Sequence, residues 1–312
     1  MVKIAKRVVN PGVLYHCYQR TVDGMLLFYN VSDYLVYFTI YSVNARRYGI
    51  RVLSMTLMPD HVHESLMVMR SSSLSKFKRK VNSEFARVHN EVCHWHGALF
   101  EETFGNAAKS NGKAERTNLI YVGNNPVERH LCSFAEEYRW GFLPYSQTPN
   151  PFSEPIVVRK ARWPLRKAIK EVKLTFNLGR PMTYRQLQRM FGQLEDNEKN
   201  QLTDFIISTY NFIDYKAAIR RFGSYDKMIT AMHSTTGSEY DIAESFVGKS
   251  DKYYANMISI VKRETGVKDI HEILGWDDDK KWELYLMLRS KTMATGKQIA
   301  KFLRMPLKTR EM

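Results

Sequence analysis

IRVLSMTLMPDHVHESLMV, residues 50–68, is the stretch on which the reading of the chain turns. Two runs rich in β-formers, 50–57 and 61–68, flank the tight connection Met58-Pro59-Asp60, which predicts a hairpin. In the second run a single valine separates His61 from His63. On a strand, residues i and i+2 share a face, so both imidazoles can converge on one ion. On a helix they would diverge by about 200°. The spacing suits a metal pair, and equally two half-buried strand histidines with polar partners. Alternation sends Glu64 to the opposite face, so it is not expected to be a ligand. Asp60 either tunes the site or closes the turn.

Working outward, GVLYHCYQR (12–20) alternates and predicts a strand. Ser32 is expected to cap a helix that stops at Gly49. Leu74, Phe77, Val81, Phe85, Val88 and Val92 recur at helical spacing over 74–92. A further helix is expected over 115–124, with Pro126 ending it. The order β-α-β-β-α-(β)-α predicts the α+β class: a ferredoxin-like antiparallel sheet with helices on one face. Four prolines in PYSQTPNPFSEPI (144–156) read as a linker or strapping loop. Beyond it the pattern is helical only, over 162–176, 183–194 capped by Thr183, 197–213, 214–222, 225–232, 239–247, 251–264, 269–274, 278–290 and 295–304. Gly223, Gly237 and Gly266 mark breaks. The expected organisation is a first domain over 1–146, a linker over 147–160 and an all-α C-terminal domain over 161–312.

Composition narrows the partner. The chain has 312 residues and a formal charge of +15, and both halves are basic. A distributed basic surface favours nucleic acid, because each neutralised phosphate releases counterions. Three scattered cysteines suit reduced thiols in a cytoplasmic protein. No apolar run reaches the roughly 20 residues of a membrane span, and the basic N-terminus lacks a signal-peptide core.

NLIYVGNNPVERHL (118–131) supplies the partners an ion site needs. Tyr121 and Asn125, four apart, share a helix face. A tyrosine hydroxyl is a competent nucleophile toward phosphorus. An amide oxygen with two imidazoles suits Mg²⁺ or Mn²⁺ in an open site better than closed structural Zn²⁺. A second H-x-H lies in Cys93-His94-Trp95-His96, without a following ligand pair of zinc-finger spacing. Lys76, Lys78, Arg79, Lys80 and Arg87 form a basic helix face, either plainly solvated or flanking the site and contacting phosphates. Tyr18, Phe104 and Trp140 suit base stacking or core packing. TGKQIAKFLRMP (295–306), with Ile299, Ala300 and Leu303 inward, suits the first helix of a helix-turn-helix or a plain bundle. VGKS (247–250) has Ala243 where a phosphate loop needs glycine, and no strand before it, so that reading is rejected.

MPDHVHESL resembles the HUH motif, and YVGNNPVERHL the Tyr-x-x-x-Asn-Pro-Val signature, of REP-associated tyrosine transposases, a single-tyrosine HUH family. FAEEYRWGFLPY is similar to the stretch that closes their catalytic domain, and YHCYQRTVDGMLLF to their first strand. The resemblance covers roughly residues 10–146. It implies a HUH nuclease fold and a metal-dependent single-strand DNA endonuclease and strand transferase that acts beside DNA hairpins through a 5′-phosphotyrosine. By motif position it implies Tyr121 as nucleophile, with His61, His63 and Asn125 as ligands for Mg²⁺ or Mn²⁺. It implies single-stranded DNA with hairpins as partner, no small-molecule substrate, a monomer or homodimer, and a bacterial cytoplasm near the nucleoid. Asp60, Glu64-Ser65 and Glu128-Arg129-His130 depart from the family pattern. A non-catalytic, domesticated DNA-binding derivative is the alternative.

Overall fold

The computed structural model describes residues 9–70, 73–234 and 250–305. In chain order the first part comprises β1 (Leu14–Arg20), α1 (Val31–Tyr48), β2 (Ile50–Leu57), β3 (His61–Val68), α2 (Ser73–Val92), β4 (Gly105–Lys109) and α3 (Gly112–Glu128). The strands form one sheet in the order β2-β3-β1-β4, with every neighbouring pair antiparallel. β3 lies between β1 and β2, the split β-α-β arrangement. This small antiparallel sheet flanked by helices is compatible with a HUH nuclease without being specific to one.

Local chemistry sets these boundaries, with two corrections. α1 is capped by Asn30, not Ser32. The Asn30 side chain accepts from Asp33 N, and Asp33 returns the bond to Asn30 N. Gly49 ends the helix in the left-handed region, where a Cβ is costly. Pro126 does not end α3, which runs on to Glu128. Proline lacks the N–H that would reach Val122 O, and the Thr56 hydroxyl donates to that carbonyl instead, at 2.6 Å.

Helices cover both faces of the sheet, not one. On the first face Tyr15, Cys17, Met55, Leu57, Val62 and Leu66 pack with α1 and α2. On the second, Leu14 and Leu53 pack with Leu119 of α3 and with Ala217 and Ala218. A register shift between Val52 and Ser54 accompanies Leu53 on that second face.

The remainder is helical among the described residues: α4 (Trp163–Asn177), α5 (Tyr184–Phe191), α6 (Asp196–Tyr210), α7 (Tyr215–Arg220), α8 (Tyr225–Ser234), α9 (Lys252–Thr265), α10 (Asp278–Lys291) and α11 (Gly296–Leu303). The segment expected as a helix at 269–274 is a 3-10 turn, Ile270–Gly275. The expected helix over 239–247, Gly237, most of VGKS and the tail from Pro306 lie outside the described residues. α4–α6 share an apolar cluster with α1. α9, α10 and α11 enclose a second, with Leu26, Tyr29 and Cys93. The proline-rich segment is tied down at Asp204, which accepts from Tyr145 Oη, Phe152 N and Ser153 Oγ. No described helix is long and apolar enough to cross a membrane.

Candidate active site

Strand register builds the site. Tyr18 lies opposite His63, His16 opposite Ser65, and Arg20 opposite His61, all on the sheet face that α3 covers. The rings of His61 and His63 are 4.7 Å apart and nearly perpendicular. The Tyr121 ring lies 5.4 Å from His63 and 5.4 Å from His16. Three sequence-derived candidates, His61, His63 and Tyr121, therefore meet. Asn125 is buried one turn further along the same helix. These side chains are buried: Tyr121 is 4% exposed and His63 is 0% exposed.

Each histidine has a polar partner on its Nδ1. His61 Nδ1 sits 2.5 Å from Asp60 Oδ1, and Lys301 of α11 sits 3.8 Å from Asp60 Oδ2. Burial opposes ionisation of Asp60, but His61, Lys301 and Arg129 hold its carboxyl at about 2. Asp60 thus does more than close the turn: an ionised carboxylate accepts from Nδ1 of His61 and leaves the lone pair of that ring on Nε2. Nearby, Asp251 is pushed up to about 6 by its own burial and by the charge of Asp60.

His63 Nδ1 faces Nε2 of His16 at 3.2 Å. His16 Nδ1 faces the amide nitrogen of Asn118 at 2.6 Å, and Ser65 Oγ donates to Asn118 Oδ1 at 2.8 Å. Sequence reasoning missed His16 and Asn118. Their signals were present: His16 shares a strand face with Tyr18, and Asn118 precedes Tyr121 by one helical turn. Asp251 and Lys301 carried no sequence signal, because tertiary packing alone brings them near.

The chemistry of the donor set suits a divalent ion: two imidazoles, each with a polar partner on Nδ1, and a buried amide on the adjoining helix.

Other expected residues fall elsewhere. Lys78 is a correction: it is 1% exposed, and its ammonium lies 2.7 and 2.9 Å from the carboxylate of Glu64. Burial raises the carboxyl of Glu64, against the pull of Lys78. Glu64 faces away from the histidines, as alternation predicts, so α2 lies behind the sheet and does not flank the histidine face. Lys76, Arg79 and Arg87 are exposed, and Lys80 pairs with Glu84 at 3.4 Å. Trp140 is stacked on Tyr34 at 4.2 Å, Phe104 is buried, and Tyr18 is half-buried 6.4 Å from His63.

Cys93 does not group with His94 and His96. A helix brings i and i+4 together, so Cys93 meets His89, and the fold adds His271. Their ligand atoms lie within 4.8 Å of one another, a buried group capable of coordinating a divalent ion. Protein partners also engage it. Arg304 Nη2 lies 2.8 Å from His89 Nε2, His89 Nδ1 lies 3.0 Å from Tyr184 Oη, and His271 Nε2 lies 3.1 Å from Asp33. Burial opposes ionisation of the Cys93 thiol, but His89 and His271 pull it down to about 6.

No family model matches the sequence, and no curated protein matches it. Among solved structures, one described as the REP-associated tyrosine transposase bound to a REP hairpin has a distant similarity. It is 13% identical with a TM-score of 0.40, over 45% of this chain and 82% of that one.

Proposed function

We propose that the chain is a metal-dependent single-strand DNA endonuclease and strand transferase of the HUH single-tyrosine kind, acting beside hairpins. One observation carries this reading: Tyr121, far from His61 and His63 in sequence, packs its ring 5.4 Å from the His63 ring on the sheet face the two histidines share. His61, His63 and Asn125 would hold Mg²⁺ or Mn²⁺. When bound, the ion supplies Lewis-acid polarisation of the phosphoryl oxygens. Tyr121 Oη attacks phosphorus and loses its proton. The bond from phosphorus to the 3′ oxygen breaks, and that oxygen takes up a proton. The product pair is a 5′-phosphotyrosine and a free 3′-hydroxyl, and the reverse step rejoins strands without an external energy source. Residues 1–146 form the catalytic unit in this reading, 147–160 the connection and 161–312 the helical, DNA-engaging part. Lys76, Lys80, Arg79 and Arg87, on the far side of the sheet, would hold flanking DNA. The protein would work as a monomer or homodimer in the cytoplasm.

A second reading has its own support. Tyr121 is 4% exposed, so DNA reaches it only if covering elements move. That favours a hairpin-binding protein that no longer cuts. Incubating hairpin-bearing single strands with Mn²⁺ or Mg²⁺ separates the two. The enzyme yields a protein–DNA adduct on a denaturing gel with wild type and none with Tyr121→Phe. Tight binding with no adduct from wild type establishes the second reading.

A further inference from the structure

We propose that His16, held by Asn118 and Ser65, is a positioning residue that decides which nitrogen of His63 carries the lone pair. This rests on the ion reading of His61 and His63.

Three buried side chains lead to His63 in series. Ser65 Oγ donates to Asn118 Oδ1 at 2.8 Å, the Asn118 amide nitrogen lies 2.6 Å from His16 Nδ1, and His16 Nε2 lies 3.2 Å from His63 Nδ1. His16 is 1% exposed and Asn118 2%, so water does not break the series. Neutral imidazole has one N–H and one lone pair. Where two imidazoles meet nitrogen to nitrogen, one must donate and the other accept. The donor is set at the far end of the series.

Two proton orders satisfy these contacts. In the first, Asn118 donates to His16 Nδ1, His16 donates from Nε2, and His63 accepts on Nδ1. His63 then carries its proton on Nε2, the nitrogen required for an ion shared with His61. In the second, the amide is turned over. Its oxygen accepts from His16 Nδ1, its nitrogen donates to Ser65, and His63 donates from Nδ1 to His16 Nε2. The lone pair of His63 is then on Nε2. With the amide nitrogen of Asn118 toward His16 the contacts correspond to the first order, and in this proposal ion binding selects the second. His61 needs no such change, because Asp60 accepts only. The two histidines therefore differ in kind: His61 is preset, and His63 is set through His16. No proton leaves the protein in the exchange.

Long-range ¹⁵N–¹H spectra of the histidines read the tautomer directly, and Mn²⁺ titration reads the affinity. Wild type should hold its His63 proton on Nε2 without metal and on Nδ1 with Mg²⁺. His16→Phe removes the acceptor and should weaken Mn²⁺ binding roughly 10–100-fold, the usual effect of losing such a partner. His16→Gln offers an amide oxygen to Nδ1 and should return affinity to within a few-fold of wild type. The proposal is overturned if the His63 tautomer is the same with and without Mg²⁺, or if His16→Phe binds Mn²⁺ as wild type does. The tautomer test stands even if His16→Phe does not fold. Should wild type bind no Mn²⁺ while His61→Ala behaves identically, the ion reading itself fails and this one with it.

Discussion

Thr56 donates its hydroxyl proton to the carbonyl oxygen of Val122 at 2.6 Å, replacing the helix bond that Pro126 cannot make. Thr56 also lies opposite His63 in the sheet. This bond joins the histidine hairpin to the tyrosine helix, as the bond from Ser65 to Asn118 does on the next strand. Thr56→Val keeps the shape and strands a buried acceptor. It should cost about 1–3 kcal/mol in urea unfolding. Under the enzyme reading it should also reduce adduct formation, since the Tyr121 helix loses one of its ties to the hairpin.

Glu64 and Lys78 form a buried ion pair between β3 and α2. Removing one partner leaves an uncompensated charge, so Lys78→Met alone should cost about 3–5 kcal/mol. Glu64→Leu combined with Lys78→Met should recover most of that loss. Chemical denaturation of the single and double variants measures the coupling. An equal loss in both would show that packing, not charge, is at stake.

The exposed cations of α2 make a separable prediction. Every phosphate that a variant no longer neutralises should reduce the salt slope of single-strand binding by about 0.7. Lys76→Ala and Arg79→Ala should flatten the slope if they touch DNA. Comparing affinities over a salt series tests this, and a slope unchanged from wild type removes α2 from the interface.

Asp251 gives stability a pH dependence. Its folded carboxyl titrates at about 6, above the ordinary value of 3.8, through burial and the charge of Asp60. Its contribution is full below the unfolded value and lost as pH rises through the folded one. Asp251→Asn should therefore melt higher than wild type at pH 7–8, with the gap narrowing toward pH 4. A gap that is constant with pH would remove the carboxyl as its cause.

Asp33 joins α1 to the helical region. It accepts from Tyr29 N at 2.7 Å and from Tyr184 Oη at 2.7 Å, and pairs with His271 at 3.1 Å. Burial opposes its ionisation, but His271 and His89 hold the carboxyl well below the usual range. Asp33→Asn should cost about 1–3 kcal/mol, because it removes the buried carboxylate that accepts from Tyr29 and Tyr184 and leaves His271 with Asp269 alone, 3.1 Å from its Nδ1. With Arg304 already on His89, a chelator should leave the melting temperature unchanged in His61→Ala, which lacks the other proposed ion site. A fall would mean that an ion, not the protein network, joins His89, Cys93 and His271.

Much of this was legible in the chain because it is local. The hairpin at 50–68, the helical spacing over 74–92 and the strand at 14–20 follow from periodicities that depend only on neighbouring residues. Alternation alone placed His61 and His63 on one face and Glu64 on the other. What the sequence could not carry was the identity of partners across long separations. Whether Lys78 faced solvent or Glu64 depended on how α2 seats on the sheet. Whether Cys93 met His96 or His271 depended on packing between distant helices. Pro126 reads as a helix end until Thr56 comes across from β2 to satisfy the carbonyl. The network behind His63 likewise exists only when β1, β3 and α3 meet. Periodicity fixes which way a side chain points, but only the packed fold decides what it finds there.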